Sequence, residues 1–191
     1  MSTQTTITTG EARLSYVHIW EPYAADAGQD PKYSVTLLIP KTDTATKAKI
    51  DAAIAAATAD GVNSKWGGRM PATVFSPVYD GDGVRPNGER FGAECAGHWV
   101  FTASSKNTAP GVVDRNRNAI LDKAQVYSGC YGRASITFFA YASPARKGIG
   151  CGLNHVQKLR DGDPLGGARI TADQAFADDV AVDEFGLPVQ G

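Results

Sequence analysis

Residues 129–141, GCYGRASITFFAY, alternate with period two, which marks a strand with two unlike faces. Cys130, Ala134, Ile136, Phe138 and Ala140 make one face, an apolar set suited to a core. Tyr131, Arg133, Ser135, Thr137, Phe139 and Tyr141 make the other. The solvent face of a strand ordinarily carries short polar or charged side chains. Three aromatic rings with an arginine among them are what stacking on unpaired bases requires. A helix or second sheet laid over this face would account for the rings as well, so the strand alone leaves both readings open.

Four more runs have strand character: 12–20 (ARLSYVHIW), 32–39 (KYSVTLLI), 98–105 (HWVFTASS) and 149–157. A helix is expected from about Thr44 to Ala59, with Thr42 and Asp43 as capping residues and Gly61 as its end. Its core stripe would be Ala48, Ile50, Ile54 and Ala57. Gly148, Gly150 and Gly152 indicate bends or a close backbone approach in the last strand. Residues 61–97 read as irregular, which in a compact domain means functional loops or short strands. Within them Asp80-Gly81-Asp82-Gly83 resembles the start of a calcium loop, but position 91 holds Phe where that pattern wants Glu, so a turn is the better reading. The expected fold is mainly β: a five-stranded Greek-key barrel of the OB type, with one helix after the second strand and a long irregular insertion.

A chain of 191 residues with 42% apolar and 20% charged content fits one domain with a proper core. We place that domain at residues 1–170, followed by a short helix and a disordered acidic tail over 171–191. No apolar run reaches the roughly 18 residues of a membrane span, and MSTQTTITTG has no signal-peptide pattern, so a cytoplasmic protein is expected. The three cysteines include no CxxC pair, and the three histidines sit singly, so neither a disulfide framework nor a metal site is indicated. No nucleophile elbow, phosphate loop, zinc-protease or dinucleotide motif occurs, so neither an enzyme nor a cofactor is expected.

The charges are segregated. Asp173, Asp178, Asp179, Asp183 and Glu184 lie in 171–191, which has no Lys or Arg. Of the 20 acids, 15 remain against 19 bases in the body, leaving it about +4 beside a tail of −5. Aromatic rings with nearby cations recur in that body: Trp66 with Lys65 and Arg69, Trp99 and Phe101 with Lys106, Tyr131 with Arg133, and Tyr141 with Arg146 and Lys147. The expected DNA contacts are Trp99, Phe101, Tyr131, Arg133, Phe139 and Tyr141 for stacking and charge. Lys106, Arg115, Arg117, Arg146, Lys147 and Lys158 are expected along the phosphates. The rival reading is a structural or assembly protein whose aromatic face is a subunit interface.

The stretches RLSYVHIWEP (13–22), KYSVTLLIPKTD (32–43), VYSGCYGRASITFFAYA (126–142) and KGIGCGLNHVQKLRDGDPLGG (147–167) resemble the phage single-stranded DNA-binding proteins of the Enc34 type. The likeness runs in order along nearly the whole chain and is weakest in 61–97. It implies an OB fold, sequence-independent single-stranded DNA binding and a role in phage replication or recombination, in the host cytoplasm. It also implies an acidic C-terminal tail that competes with DNA. Phage replication proteins and a second copy of the chain are further expected partners.

Overall fold

The computed structural model describes residues 4–165, and five long strands in it close on one another. They are β2 (Ala12–Tyr23), β3 (Lys32–Pro40), β5 (His98–Ser105), β7 (Tyr131–Ala142) and β8 (Lys147–Arg160). Strand β2 pairs β3, β3 pairs β5, β5 runs parallel to β8, β8 pairs β7, and β7 returns to β2. That circuit is the five-stranded Greek-key ring expected from the sequence. Three short strands decorate it. β1 (Thr6–Thr8) pairs β7, β4 (Tyr79–Asp80) pairs β5, and β6 (Gly111–Val113) pairs β8. The parallel junction of β5 with β8 is narrow, with the single register pair Ser104 and Gly152.

The alternation of β7 is realised as expected. Cys130, Ala134, Ile136, Phe138 and Ala140 are all buried, against Leu14, Val35, Leu37, Phe101 and Val156 from the other strands. Strand β8 begins earlier than its sequence pattern indicated, so Lys147 opens the strand rather than belonging to the turn before it.

Helix α1 (Thr44–Ser64) packs on β7 through Ile50, Ala53, Ala57 and Gly61. Two expectations change here. Ala48 faces solvent, and Gly61 does not end the helix but is buried within its last turn. A Cβ at Gly61 would collide with that of Ala140, so the glycine serves close approach of helix to strand. Trp66 follows in the core, where its Nε1 donates to the Tyr141 carbonyl at 3.1 Å; it is a closing wedge, not a stacking ring beside Lys65 and Arg69.

Asp43 caps α1 as expected, accepting from Thr46 N at 3.0 Å and Thr46 Oγ1 at 2.6 Å. The Thr46 hydroxyl also accepts from Gly10 N at 3.0 Å, tying the cap to the start of β2. These hydrogen bonds hold the Asp43 carboxyl below the usual aspartate range. Asp43→Ala is therefore expected to cost about 1 kcal/mol, read as a lower melting temperature near neutral pH. A carboxyl depressed in the folded state contributes fully above its unfolded pKa. The difference between wild type and Asp43→Ala should shrink as pH falls through the lowered folded value.

Candidate nucleic-acid interface

The insertion that looked irregular in the sequence builds a wall. Phe75 is stitched to β8: its N–H donates to the Lys147 carbonyl at 3.0 Å and its carbonyl accepts from Ile149 N at 2.9 Å. Further on, β4 lies on β5, and Lys41 Nζ binds Asp80 at 2.5 Å and Asp82 at 2.7 Å. The Asp-Gly-Asp-Gly segment is thus a turn that holds a lysine. Leu38, Cys95 and Val100, with Phe91 against them, form a small apolar cluster that seals the wall to the outer face of the sheet. Beyond β4 the chain doubles back between Val84 and Arg90, bringing the Arg85 guanidinium 5.3 Å from the centre of the Phe91 ring. The Nε of Arg85 is buried with no hydrogen-bond partner among the described residues.

Between this wall and the barrel runs a groove of about 1000 Å³. Its floor is the outer face of β3 and β5, where Thr36 and Thr102 share a hydrogen bond of 2.8 Å, and it continues to Gly150 of β8. Phe139 and Tyr141 of β7 stand on one side, and Phe75, Tyr79 and Phe91 on the other. Lys32, Arg85 and Arg146 supply positive charge along it, with Arg146 lying 5.1 Å from the Phe75 ring centre.

Two local devices open rings into this groove. The first is the glycine run of β8. A Cβ at Gly150 would lie 2.6 Å from the Phe139 ring, and one at Gly148 would lie 2.9 Å from the Tyr141 hydroxyl. Bare backbone lets both rings lie low across the neighbouring strand, and Phe139 keeps 47% of its surface open. The second is a bulge in β2 between Ser15 and His18. It puts Tyr16 at φ 46°, a left-handed conformation that costs an aromatic residue strain, and leaves it 58% exposed at the groove.

The residues singled out from the sequence divide between several places. Phe139, Tyr141 and Arg146 line the groove, and Lys147 is exposed next to Arg146. Phe101 belongs to the groove floor but is not open to it: at 1% exposure it packs into the barrel core, 6.2 Å from the Phe138 ring. Strand β5 turns Trp99, Phe101 and Ala103 inward, so the opposite set lines the groove. Trp99 is half-buried under Lys47 and Lys41, whose ammonium groups sit 4.6 and 5.0 Å from its ring centre; it is a clamp for lysines rather than an open platform. Tyr131 is likewise covered, with the Arg160 guanidinium 3.7 Å and that of Arg13 5.8 Å from its ring centre. It also stands eight residues, roughly 26 Å, along β7 from Phe139.

The cations divide in the same way. Lys158 is held by Asp161 over the Tyr127 ring, and Lys106 pairs with Asp30 at 2.8 Å on the surface. Arg133 is exposed on the far half of the β7 face and bonds Gln157 of β8, which in turn holds the backbone of the turn carrying Arg115 and Arg117. Asp173, Asp178, Asp179, Asp183 and Glu184 lie outside the described residues.

Tyr16, Phe75, Tyr79, Phe91, Lys32 and Arg85 were not singled out from the sequence. Their one signal was the length of the irregular insertion, which carries three of the rings and the arginine. Among the described residues no three His, Cys, Asp or Glu side chains converge on a metal-sized site, and no helix is long and apolar enough to cross a membrane. Burial pushes the Cys151 thiol up to about 12, which removes it as a nucleophile at neutral pH.

An OB ring with a ring-lined trough outside its second and third strands has the layout of the oligonucleotide-binding modules of that fold. The chain matches the family described as Enterobacter phage Enc34, ssDNA-binding protein, over residues 5–186, and it belongs to that family. The single-stranded DNA-binding protein from bacteriophage Enc34, solved in complex with ssDNA, is 32% identical, with TM-score 0.72 over 85% of this chain and 90% of that one. Protein p50 of Acyrthosiphon pisum secondary endosymbiont phage 1 is 29% identical over 176 residues, 87% of this chain and 89% of its own. The single-stranded DNA binding protein gp2.5 of bacteriophage T7 shares the fold at 16% identity and TM-score 0.58, over 88% of this chain and 99% of that one.

Proposed function

We propose that the chain binds single-stranded DNA without regard to sequence, with bases stacked in the groove on Phe139, Tyr141 and the rings of the opposite wall. The observation that carries this reading is Phe139. It is a large apolar ring, 47% exposed, laid over a glycine slot and facing a groove that also holds Arg146 on Phe75. Each stacked base contributes about 1–3 kcal/mol whatever its identity, while Lys32, Arg85, Arg146 and Lys147 follow the phosphates. Membership of a family whose Enc34 member was solved with ssDNA supports the same reading.

The chain acts by binding rather than catalysis, coating and protecting single strands during phage replication or recombination in the host cytoplasm. The stretch 171–191, with five acids and no Lys or Arg, competes with DNA for the cations of the body. Fluorescence titration with oligothymidylate, mixed-sequence and duplex DNA across a salt series tests the proposal. The expected result is similar affinity for both single strands, weaker duplex binding and a steep loss with salt. Duplex binding equal to or tighter than single-strand binding overturns it.

A further inference from the structure

The groove stops at Phe139, but the open face of β7 continues beyond it. Thr137 comes next on that face, accepting from Asn154 Nδ2 at 3.0 Å and sharing a hydrogen bond of 2.8 Å with Thr6 of β1. Ser135 follows, and then Arg133, exposed, six residues and about 20 Å from Phe139. Arg133 Nε donates to Gln157 Oε1 at 2.6 Å, and Gln157 Nε2 donates to the carbonyls of Asp114 at 3.1 Å and Arg115 at 3.3 Å. Gln157 of β8 therefore links Arg133 to the backbone of the turn that follows β6, the turn that carries Arg115 and Arg117.

The backbone of that turn is fixed by its own hydrogen bonds, and Arg115 Nη1 donates to the Leu159 carbonyl of β8 at 3.5 Å. Asp114 N donates to the Asn118 carbonyl at 2.8 Å, closing a three-residue loop of Arg115, Asn116 and Arg117. Arg117 takes the left-handed position of the loop, φ 68°, which glycine or asparagine would fill with less strain. Asp114 is the one carboxylate in the loop, and its Oδ1 accepts from Asn116 N at 2.8 Å and Asn118 N at 2.9 Å. Among the described residues none of the three arginines forms an ion pair, so the cluster keeps a net positive charge.

We propose that this arginine cluster is a second contact zone for the same DNA strand. Bases stack in the groove; the strand leaves past Phe139 along the hydroxyl-bearing strip; Arg133, Arg115 and Arg117 take its phosphates. The inference rests on the groove reading and adds length to it. Twenty ångströms correspond to about six stacked nucleotides at roughly 3.4 Å each, so an oligonucleotide well under six nucleotides cannot hold a base on Phe139 and a phosphate on Arg133 at once.

The test compares wild type with a variant carrying Arg115→Ala, Arg117→Gly and Arg133→Ala, using oligothymidylates of about three and about 20 nucleotides across a salt series. The variant should bind the short oligonucleotide within about twofold of wild type and the long one about tenfold more weakly. Its slope of log affinity against log salt on the long one should be smaller by about 2, since each single-strand phosphate contact contributes about 0.7. Equal behaviour of variant and wild type on both lengths overturns the second zone, and so does equal weakening on both. Failure of wild type to bind either length overturns the groove reading itself.

Arg117→Gly alone guards against a fold defect in the triple variant. Its melting temperature should equal or exceed that of wild type while affinity for the long oligonucleotide falls. A lower melting temperature with unchanged affinity would show an arginine that serves the turn, and would count against the proposal.

Discussion

Phe139→Ala is expected to weaken binding of a long oligothymidylate by roughly five- to hundredfold, the worth of one stacked base. The melting temperature should move by no more than about 2 °C, because a half-exposed ring on the outer face contributes little to the core. Titration and thermal unfolding of the same preparation supply both numbers. The physical ground is the slot made by Gly150, which holds the ring flat across β8 with one side open to the groove. Unchanged affinity would mean that the strand passes elsewhere.

The opposite pairing of effects is expected two strands away, on β5. Phe101→Ala should cost about 3–5 kcal/mol, since it empties a fully buried site against Phe138 and leaves a cavity inside the barrel. For a domain of this size that lowers the melting temperature by about 10 °C. Affinity measured well below the transition should stay within about twofold of wild type. A large loss of affinity with little loss of stability would put the ring in the groove after all. Taken together, the two variants separate core from interface with the same pair of assays, titration and thermal unfolding.

Strand β5 shows why the sequence led to the wrong face there. Its alternation is plain, but both faces hold apolar residues: Trp99, Phe101 and Ala103 on one, Val100 on the other. Burial favours the face with more apolar area, which sends Trp99 and Phe101 inward and leaves Val100, Thr102 and Ser104 for the groove. Strand β7 was readable because only one of its faces was uniformly apolar. Even there the outer rings did not share a fate, because Tyr131 is covered by Arg160 and Arg13 from β8 and β2, and no local pattern reports a partner so distant in sequence.

The remaining gaps have local causes. Tyr16 sits in a run that reads as regular strand, and the bulge that frees its ring leaves no composition mark. Gly61 looked like a helix end because glycine usually is one; its actual role, contact with Ala140, is a tertiary fact. The wall is held by pairings such as Phe75 with Lys147 and Lys41 with Asp80 and Asp82, which join residues dozens of positions apart. Length marked that insertion as special, but only the fold shows where it stands.

The narrow meeting of β5 with β8 has a consequence for how the trough accommodates its cargo. Strands β3 and β5 are paired along eight successive positions, and β7 with β8 along twelve, so each is a stiff two-stranded plate. On the side away from β2, which joins them by pairing β3 and β7, one register pair, Ser104 with Gly152, connects the two plates, and both residues lie at or next to the floor. The molecule thus has a seam beneath its trough. Spreading the plates there breaks few hydrogen bonds, while the glycines of β8 add no side chains to resist. A slight parting of the seam would let the trough receive bases of unequal size without repacking of the core, as the proposed binding without regard to sequence requires.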